Sequence, residues 1–175
     1  AKELARYDTS KGTVRFPALG PLTGDWGGGH GLAEQVMWWS VRSEDGRGPA
    51  TALAPAAAQR LGLATATEAA IAVHFGDLPS ARLHELVPLL FEVAEAGDTV
   101  ARSIIAQQAD EIVTLVRVCV QRLDFRGSEI PVVLGGGVLA ANQPLLLQPV
   151  VEGVRRVSPL CVVEVLAAPP VLGAA

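Results

Sequence analysis

Apolar residues recur at helical spacing through most of the chain and gather into short unbroken runs only near its C-terminal end. Leu32, Val36 and Trp39 predict a helix from His30 to about Ser43, ended by Asp45-Gly46. After Gly48-Pro49, Thr51 is expected to cap a short Ala-rich helix to about Leu61, and Thr67 to begin another that closes at Gly76-Asp77. Ser80 should cap the next, with Leu83, Leu86, Val87, Leu90 and Ala94 as its apolar stripe. Pro88 must kink or restart that helix, because it has no N–H for the carbonyl four residues back. Gly97 then suits a left-handed stop and Asp98 the cap of a new helix. That helix, Asp98 to about Leu123, carries Ala101, Ile105, Ala109, Ile112, Val116, Cys119 and Leu123 on one face. At 1.5 Å per residue it would be about 40 Å long, a spine for the domain.

The period changes after Leu123. Pro131-Val132-Val133-Leu134 is a short β-branched run stopped by Gly135-Gly136-Gly137, and Cys161–Leu166 is a second run. Between them Asn142 can cap a helix to about Val157, with Leu146, Val150 and Val154 inward. Strand, helix and strand make a βαβ unit whose strands should be parallel and mostly buried. At the other end Thr13-Val14-Arg15-Phe16 alternates like a strand, with turn chemistry at Asp8–Gly12 and a possible hairpin partner at 3–7. A loop rich in Gly and Pro runs from Pro17 to Gly29, and Pro169–Ala175 resembles the start of a further helix. The expected class is α/β in a single lobe: a partial hairpin at 1–17, a loop and helical segment at 18–127, and a βαβ unit at 128–175.

Composition narrows the classes. Half of the 175 residues are hydrophobic and 18% charged, which excludes a disordered chain; only 5% are aromatic, so the core must be built from Ala, Val and Leu. The net charge is −4 with no cluster of Lys and Arg, so nucleic-acid binding through phosphate neutralisation is not expected. No apolar run reaches the roughly 18 residues of a membrane span, and Ala1-Lys2-Glu3-Leu4 lacks a signal-peptide pattern. Cys119 and Cys161 lie far apart in apolar surroundings and read as buried reduced thiols, so the expected compartment is the cytoplasm.

Two glycine clusters carry the candidate chemistry. Gly135-Gly136-Gly137, with Val138 after it, follows a strand at what should be the carboxyl edge of the sheet, where bare backbone lets a ligand approach without meeting a Cβ. A strand-to-helix turn needing positive φ would use the same residues, and spacing alone leaves both readings open. Gly135–Ala140 also fits G-x-G-x-x-A, but Ala167-Ala168-Pro169 stands where the ribose-binding acid should be, and no P-loop sequence occurs. The second cluster is Gly24-Asp25-Trp26-Gly27-Gly28-Gly29. Asp25 could accept hydrogen bonds from sugar hydroxyls, or simply brace its loop; Trp26 could line a sugar site, whereas Trp39 belongs to the core stripe. His30, His74 and His84 have no metal-ligand spacing, and no nucleophile elbow is present. No residue is assigned as catalytic or as a metal ligand.

Taken in order, Arg15–Gly29, Arg47-Gly48-Pro49-Ala50-Thr51, Leu134–Leu139 and Pro169–Ala175 resemble motifs of the BadF/BadG-type ATPase family, which includes N-acetylglucosamine kinases, within the actin-like ATPase superfamily. The resemblance runs from about residue 13 to the end. It implies a ribonuclease-H-like lobe, a mixed sheet flanked by helices, with a helical insertion between the hairpin and the βαβ unit. It implies ATP with Mg as phosphoryl donor, an amino sugar as acceptor, and a homodimer. Gly135, Gly136, Gly137 and Val138 would match the adenosine motif; Gly24, Asp25 and Trp26 would match the sugar-side loop.

The family pattern also includes an N-terminal lobe with a first phosphate loop and a catalytic aspartate, for which these residues have no counterpart. A second, Gly-Thr-Gly, loop is expected just before Thr13, where Glu3-Leu4-Ala5-Arg6-Tyr7 has no glycine. These residues alone are therefore expected not to transfer phosphate. A radical-dehydratase activator, the family's other branch, would need cluster-binding cysteines, and Cys119 and Cys161 form no such motif. A non-catalytic dimerisation module is the third reading.

Overall fold

The computed structural model describes residues 12–17 and 19–166. They fall into two compact units, Gly27–Gln108 and the described parts of Ala1–Trp26 with Ala109–Ala175. The possible hairpin partner at 3–7, the turn through residue 11 and the closing segment Pro169–Ala175 lie outside the described residues.

The unit Gly27–Gln108 is helical. Helix α1, Gly28–Glu44, packs against α2, Leu53–Leu61, against α3, Ala66–Phe75, and against α4, Leu86–Glu95; α5, Thr99–Arg122, starts in this unit. Leu32, Val36, Leu53, Leu61, Leu86, Leu90 and Ile104 are fully buried and form its centre. The stripe on α1 is completed by Ala33, Met37 and Ser40; Trp39, expected in the core, is only half-buried, and the exposed Trp38 lies under the Arg42 guanidinium at 5.4 Å. Leu83, Leu86, Leu90 and Ala94 of the predicted α4 stripe are buried as expected.

Helix boundaries follow local chemistry, with three corrections. Gly62, Gly76 and Gly97 stop helices with φ of 78, 83 and 103°. α3 is capped by Thr65, not Thr67. The Thr65 hydroxyl accepts Glu68 N–H at 3.0 Å, and Glu68 accepts Ala64 N–H at 3.2 Å, close to a reciprocal capping box. Ser80 opens a 3-10 helix, Ser80–Glu85, rather than capping an α-helix. This is the restart Pro88 requires: α-helix begins at Leu86, so Pro88 sits in the first turn, where a missing N–H costs nothing.

In the second unit, residues 12–17 have no regular structure, so the strand expected at Thr13–Phe16 does not form among the described residues. The Phe16 ring meets the Arg122 guanidinium at 5.9 Å. The βαβ unit forms as predicted. β1, Pro131–Leu134, and β2, Val162–Val165, pair in parallel from Pro131–Val162 to Leu134–Val165. They are the only strands among the described residues, so the predicted mixed sheet is represented by this parallel pair. β1 turns Val132 and Leu134 inward, but β2 alternates exposed and half-buried residues, because its outward side chains meet no covering element among the described residues.

Between the strands lie a single turn, α6, Gly137–Ala140, and α7, Pro144–Val157. Leu146, Val150 and Val154 are buried as predicted. Asn142 does not cap α7. Pro144 forces the residue before it into an extended conformation, so Gln143 (ψ 118°) becomes the N-cap and Asn142 takes a left-handed φ of 53°. Gly153 is buried against α5, where an added Cβ would collide with the Val113 side chain. α5 has 24 residues, about 36 Å, and contributes Ala101 and Ile105 to the first core and Ala109 and Val120 to the second.

Candidate functional site

β1 ends at Leu134, and Gly135, Gly136 and Gly137 emerge at its carboxyl end, all exposed, with Val138 half-buried behind them. Gly136, at φ 113° and ψ 155°, occupies a region open almost solely to glycine. The turn reading therefore accounts for Gly136. Its neighbours are different. Neither Gly135 nor Gly137 has a positive φ; among the described residues a Cβ on Gly137 would meet nothing within 4 Å, and one on Gly135 would touch only Leu166 Cδ1 at 3.7 Å, an ordinary contact. The fold itself asks for glycine at one position of the three.

The sugar-side candidates sit on a compact turn. The 3-10 helix Gly20–Thr23 stops at Gly24 (φ 80°), whose N–H reaches Pro21 O at 3.2 Å. Asp25 Oδ2 accepts Gly20 N–H and the Thr23 hydroxyl, each at 3.1 Å. That carboxylate oxygen braces the turn; Oδ1 carries no such bond among the described residues. Asp25 and Trp26 are both half-buried. No hydrogen bond among the described residues joins Gly24–Trp26 to Gly135–Val138.

The rest of the second cluster belongs to a helix start. Gly27, expected in the loop, is the N-cap of α1 at φ 91° and ψ −145°, and Gly28 and Gly29 form its first turn. Gln108 Oε1 accepts Gly28 N–H at 2.7 Å, and a Cβ on Gly27 would stand 2.7 Å from Gln108 Cδ. Sequence reasoning missed Gln108, since a single glutamine inside a long amphipathic helix carries no local signal.

The Arg47–Thr51 motif is a folded connector between α1 and α2. Asp45 accepts Arg47 N–H at 3.0 Å and Arg47 Nε–H at 2.8 Å, while Arg42 Nη2 donates to Arg47 O at 2.7 Å. Thr51 donates its hydroxyl to Asp98, whose oxygens also accept Ala52 N–H and Ala101 N–H at 2.8 Å each. One carboxylate thus caps α5 and anchors the entry to α2. Burial pushes the Asp98 carboxyl up, but its bonds from Ala101, Ala52, Thr51 and Val100 together hold it below the ordinary range. Glu44 does likewise at the start of α3, accepting Ala66 N–H at 2.7 Å, Thr67 N–H at 2.8 Å and the Thr67 hydroxyl at 2.7 Å. Its burial raises the carboxyl less than these bonds lower it.

The histidines have partners of their own. His30 pairs with Glu34 at 3.2 Å and its ring lies 6.1 Å from that of His84, while His74 meets Phe75 edge-on. Cys119 and Cys161 are free; Cys161 is buried, whereas Cys119 is only half-buried, and desolvation pushes its thiol up. Among the described residues no group of three or more His, Cys, Asp or Glu could hold a metal ion. No described helix is long and apolar enough to cross a membrane.

A bare glycine turn at the carboxyl end of parallel strands, followed by a helix, is the arrangement by which α/β proteins take nucleotides. The comparison with known families gives the class its name: the chain belongs to the BadF/BadG/BcrA/BcrD ATPase family, whose model matches residues 5–175. That family is one of actin-like, ATP-utilising proteins. The chain is also similar to N-acetyl-D-glucosamine kinase of Dictyostelium discoideum, 28% identical over 126 residues. The match covers 70% of this chain and 39% of that kinase, so the chain spans well under half of the relative's length.

Proposed function

We propose that these residues form the nucleotide-binding part of a sugar kinase that moves the γ-phosphate of ATP to N-acetylglucosamine or a related amino sugar. The observation that carries this reading is the pair Gly135 and Gly137, two exposed glycines that neither backbone conformation nor packing among the described residues requires. A nucleotide whose adenine and ribose lie against the backbone of Gly135, Gly136, Gly137 and Val138 supplies the missing reason: a Cβ would hold it away. Similarity to an N-acetyl-D-glucosamine kinase supports the acceptor class. Asp25, with Oδ1 unengaged among the described residues and next to Trp26 in the chain, then accepts a hydrogen bond from a sugar hydroxyl, and Gly24 keeps the turn narrow.

Bound ATP, with Mg, would supply the transferable phosphoryl group, and no step is assigned to the ion. Phosphoryl transfer depends on positioning and charge stabilisation around the γ-phosphate. These 175 residues offer the adenosine and sugar contacts and no phosphate loop, so on their own they bind without turning over. A cytoplasmic homodimer completes the reading. Calorimetry with ATP, ADP and N-acetylglucosamine tests it: nucleotide binding that disappears on Gly137→Val with the fold retained supports the reading, and no heat at millimolar nucleotide refutes it. Sedimentation velocity tests the dimer.

A further inference from the structure

The ladder between β1 and β2 runs one residue beyond the strands: Leu166 N–H donates to Leu134 O at 2.9 Å. That bond sets Leu166 beside Gly135, and both belong to the same compact unit. Side chains alternate along a strand, so Gly135 continues the face of Pro131 and Val133, and Leu166 that of Val162 and Glu164. Val133 pairs with Glu164 in the register, so Gly135 and Leu166 share one face of the sheet. Their approach is close: a Cβ on Gly135 would stand 3.7 Å from Leu166 Cδ1. Apart from its chain neighbours, no other described residue would come within 4 Å of that Cβ.

Glycine at 135 leaves that side chain uncovered. An alanine methyl there would lie in van der Waals contact with Leu166 Cδ1 and screen it from a ligand. Leu166, half-buried, is thus an aliphatic wall at one end of the glycine turn. At the other end a Cβ on Gly137 would meet nothing within 4 Å among the described residues. The two ends suit different parts of a nucleotide. An aromatic base gains apolar burial against a leucine, whereas a ribose hydroxyl or a phosphate placed there gives up water with no hydrogen bond in return. We infer that Leu166 is the base-contacting side chain of the glycine turn: the adenine ring lies over Gly135 against Leu166, and the ribose and phosphates run toward Gly137. This rests on the reading of that turn as the nucleotide contact.

The test titrates ADP into the 175-residue chain with its leucine methyls labelled for NMR, the Leu166 methyls being those missing from the Leu166→Met spectrum. The protons on the adenine ring should give nuclear Overhauser contacts to the Leu166 methyls, and the ribose protons farthest from the base should give none. In calorimetry Leu166→Ala, which removes most of the apolar surface offered to the base, should weaken ADP about three- to tenfold. Leu166→Met keeps the volume and should stay within about twofold of the parent. Bound ADP whose ribose rather than base lies against Leu166, or that makes no contact with it, overturns the proposal. So does an Ala variant of unchanged affinity, or a Met variant no better than Ala. If the Ala variant does not fold, the contacts in the parent chain decide. A parent chain that binds no ADP at millimolar concentration removes the nucleotide reading itself. ADP binding that is lost on Gly137→Val but indifferent to Leu166 keeps that reading and removes only this inference.

Discussion

Gly27–Gly29 and Gly135–Gly137 are runs of equal length, each leading into a helix, and their surroundings are unlike. At the first run the backbone is already committed: Gly27 and Gly28 have positive φ, and a Cβ on Gly27 would force the end of the Gln108 side chain to shift. At the second run only Gly136 is conformationally bound to be glycine, and all three residues are exposed, with Gly135 meeting Leu166 at an ordinary distance. Gly29 and Gly137 are the tolerant members, with an ordinary contact to His84 at 3.6 Å in one case and nothing within 4 Å in the other. A glycine that the fold explains says little about ligands. One that the fold leaves unexplained, at the carboxyl end of a strand, is where a ligand reading gains force.

The largest effect expected from this contrast is on stability. Gly27→Ala must displace Gln108 and hold alanine at φ 91°, so it should cost about 2–4 kcal/mol by chemical denaturation. A loss under about 0.5 kcal/mol would mean the clamp is not what fixes Gly27. Asp98→Ala comes next: it strips acceptors from Thr51, Ala52 and Ala101, and about 2 kcal/mol should be lost.

Asp98 and Glu44 also set an acid limb. Their folded carboxyls lie below the unfolded value, so their contribution is whole above about pH 4 and fades as pH falls through the depressed folded value. Asp98→Asn should flatten that limb in a pH series of denaturation midpoints while leaving the neutral-to-alkaline slope unchanged. A variant whose midpoints track the parent down to pH 3 would contradict the assignment.

Gly137→Ala gives the sharpest separation of the two runs. Alanine fits the first turn of α6, so stability should stay within about 0.5 kcal/mol. Nucleotide affinity, in contrast, should drop about tenfold or more, near 1.4 kcal/mol, because the added methyl occupies the proposed adenosine contact. Gly29→Ala, its counterpart in the other run, should leave nucleotide affinity untouched. Equal effects of the two substitutions would erase the distinction. The smallest effect belongs to Glu44→Gln, which keeps an acceptor for the start of α3 and should cost about 0.5–1 kcal/mol.

Local signals in the sequence determined a good deal. Gly97 and Asp98 stop one helix and cap the next as their local sequence predicts, because left-handed backbone and an N-cap carboxylate are properties of a few neighbouring residues; the bonds from Thr51 and Ala52 are added by the tertiary fold. The β-branched runs at 131–134 and 162–165 identified parallel strands, and Pro88 forced a restart that the chain meets at Leu86. Misplaced caps, Thr67 for Thr65 and Asn142 for Gln143, were still legible: Thr65-x-x-Glu68 is a capping pattern, and Pro144 constrains its predecessor. Thr13–Phe16 could not be judged locally, since a strand exists only where another backbone pairs with it.

Both glycine clusters were visible as spellings, and their meanings were not. Which glycine is demanded by conformation, which faces a side chain 80 residues away, and which is demanded by nothing among the described residues depends on contacts that sequence spacing does not encode. Only the tertiary structure separated Gly27 from Gly137, because steric exclusion acts between residues that the chain brings together after folding.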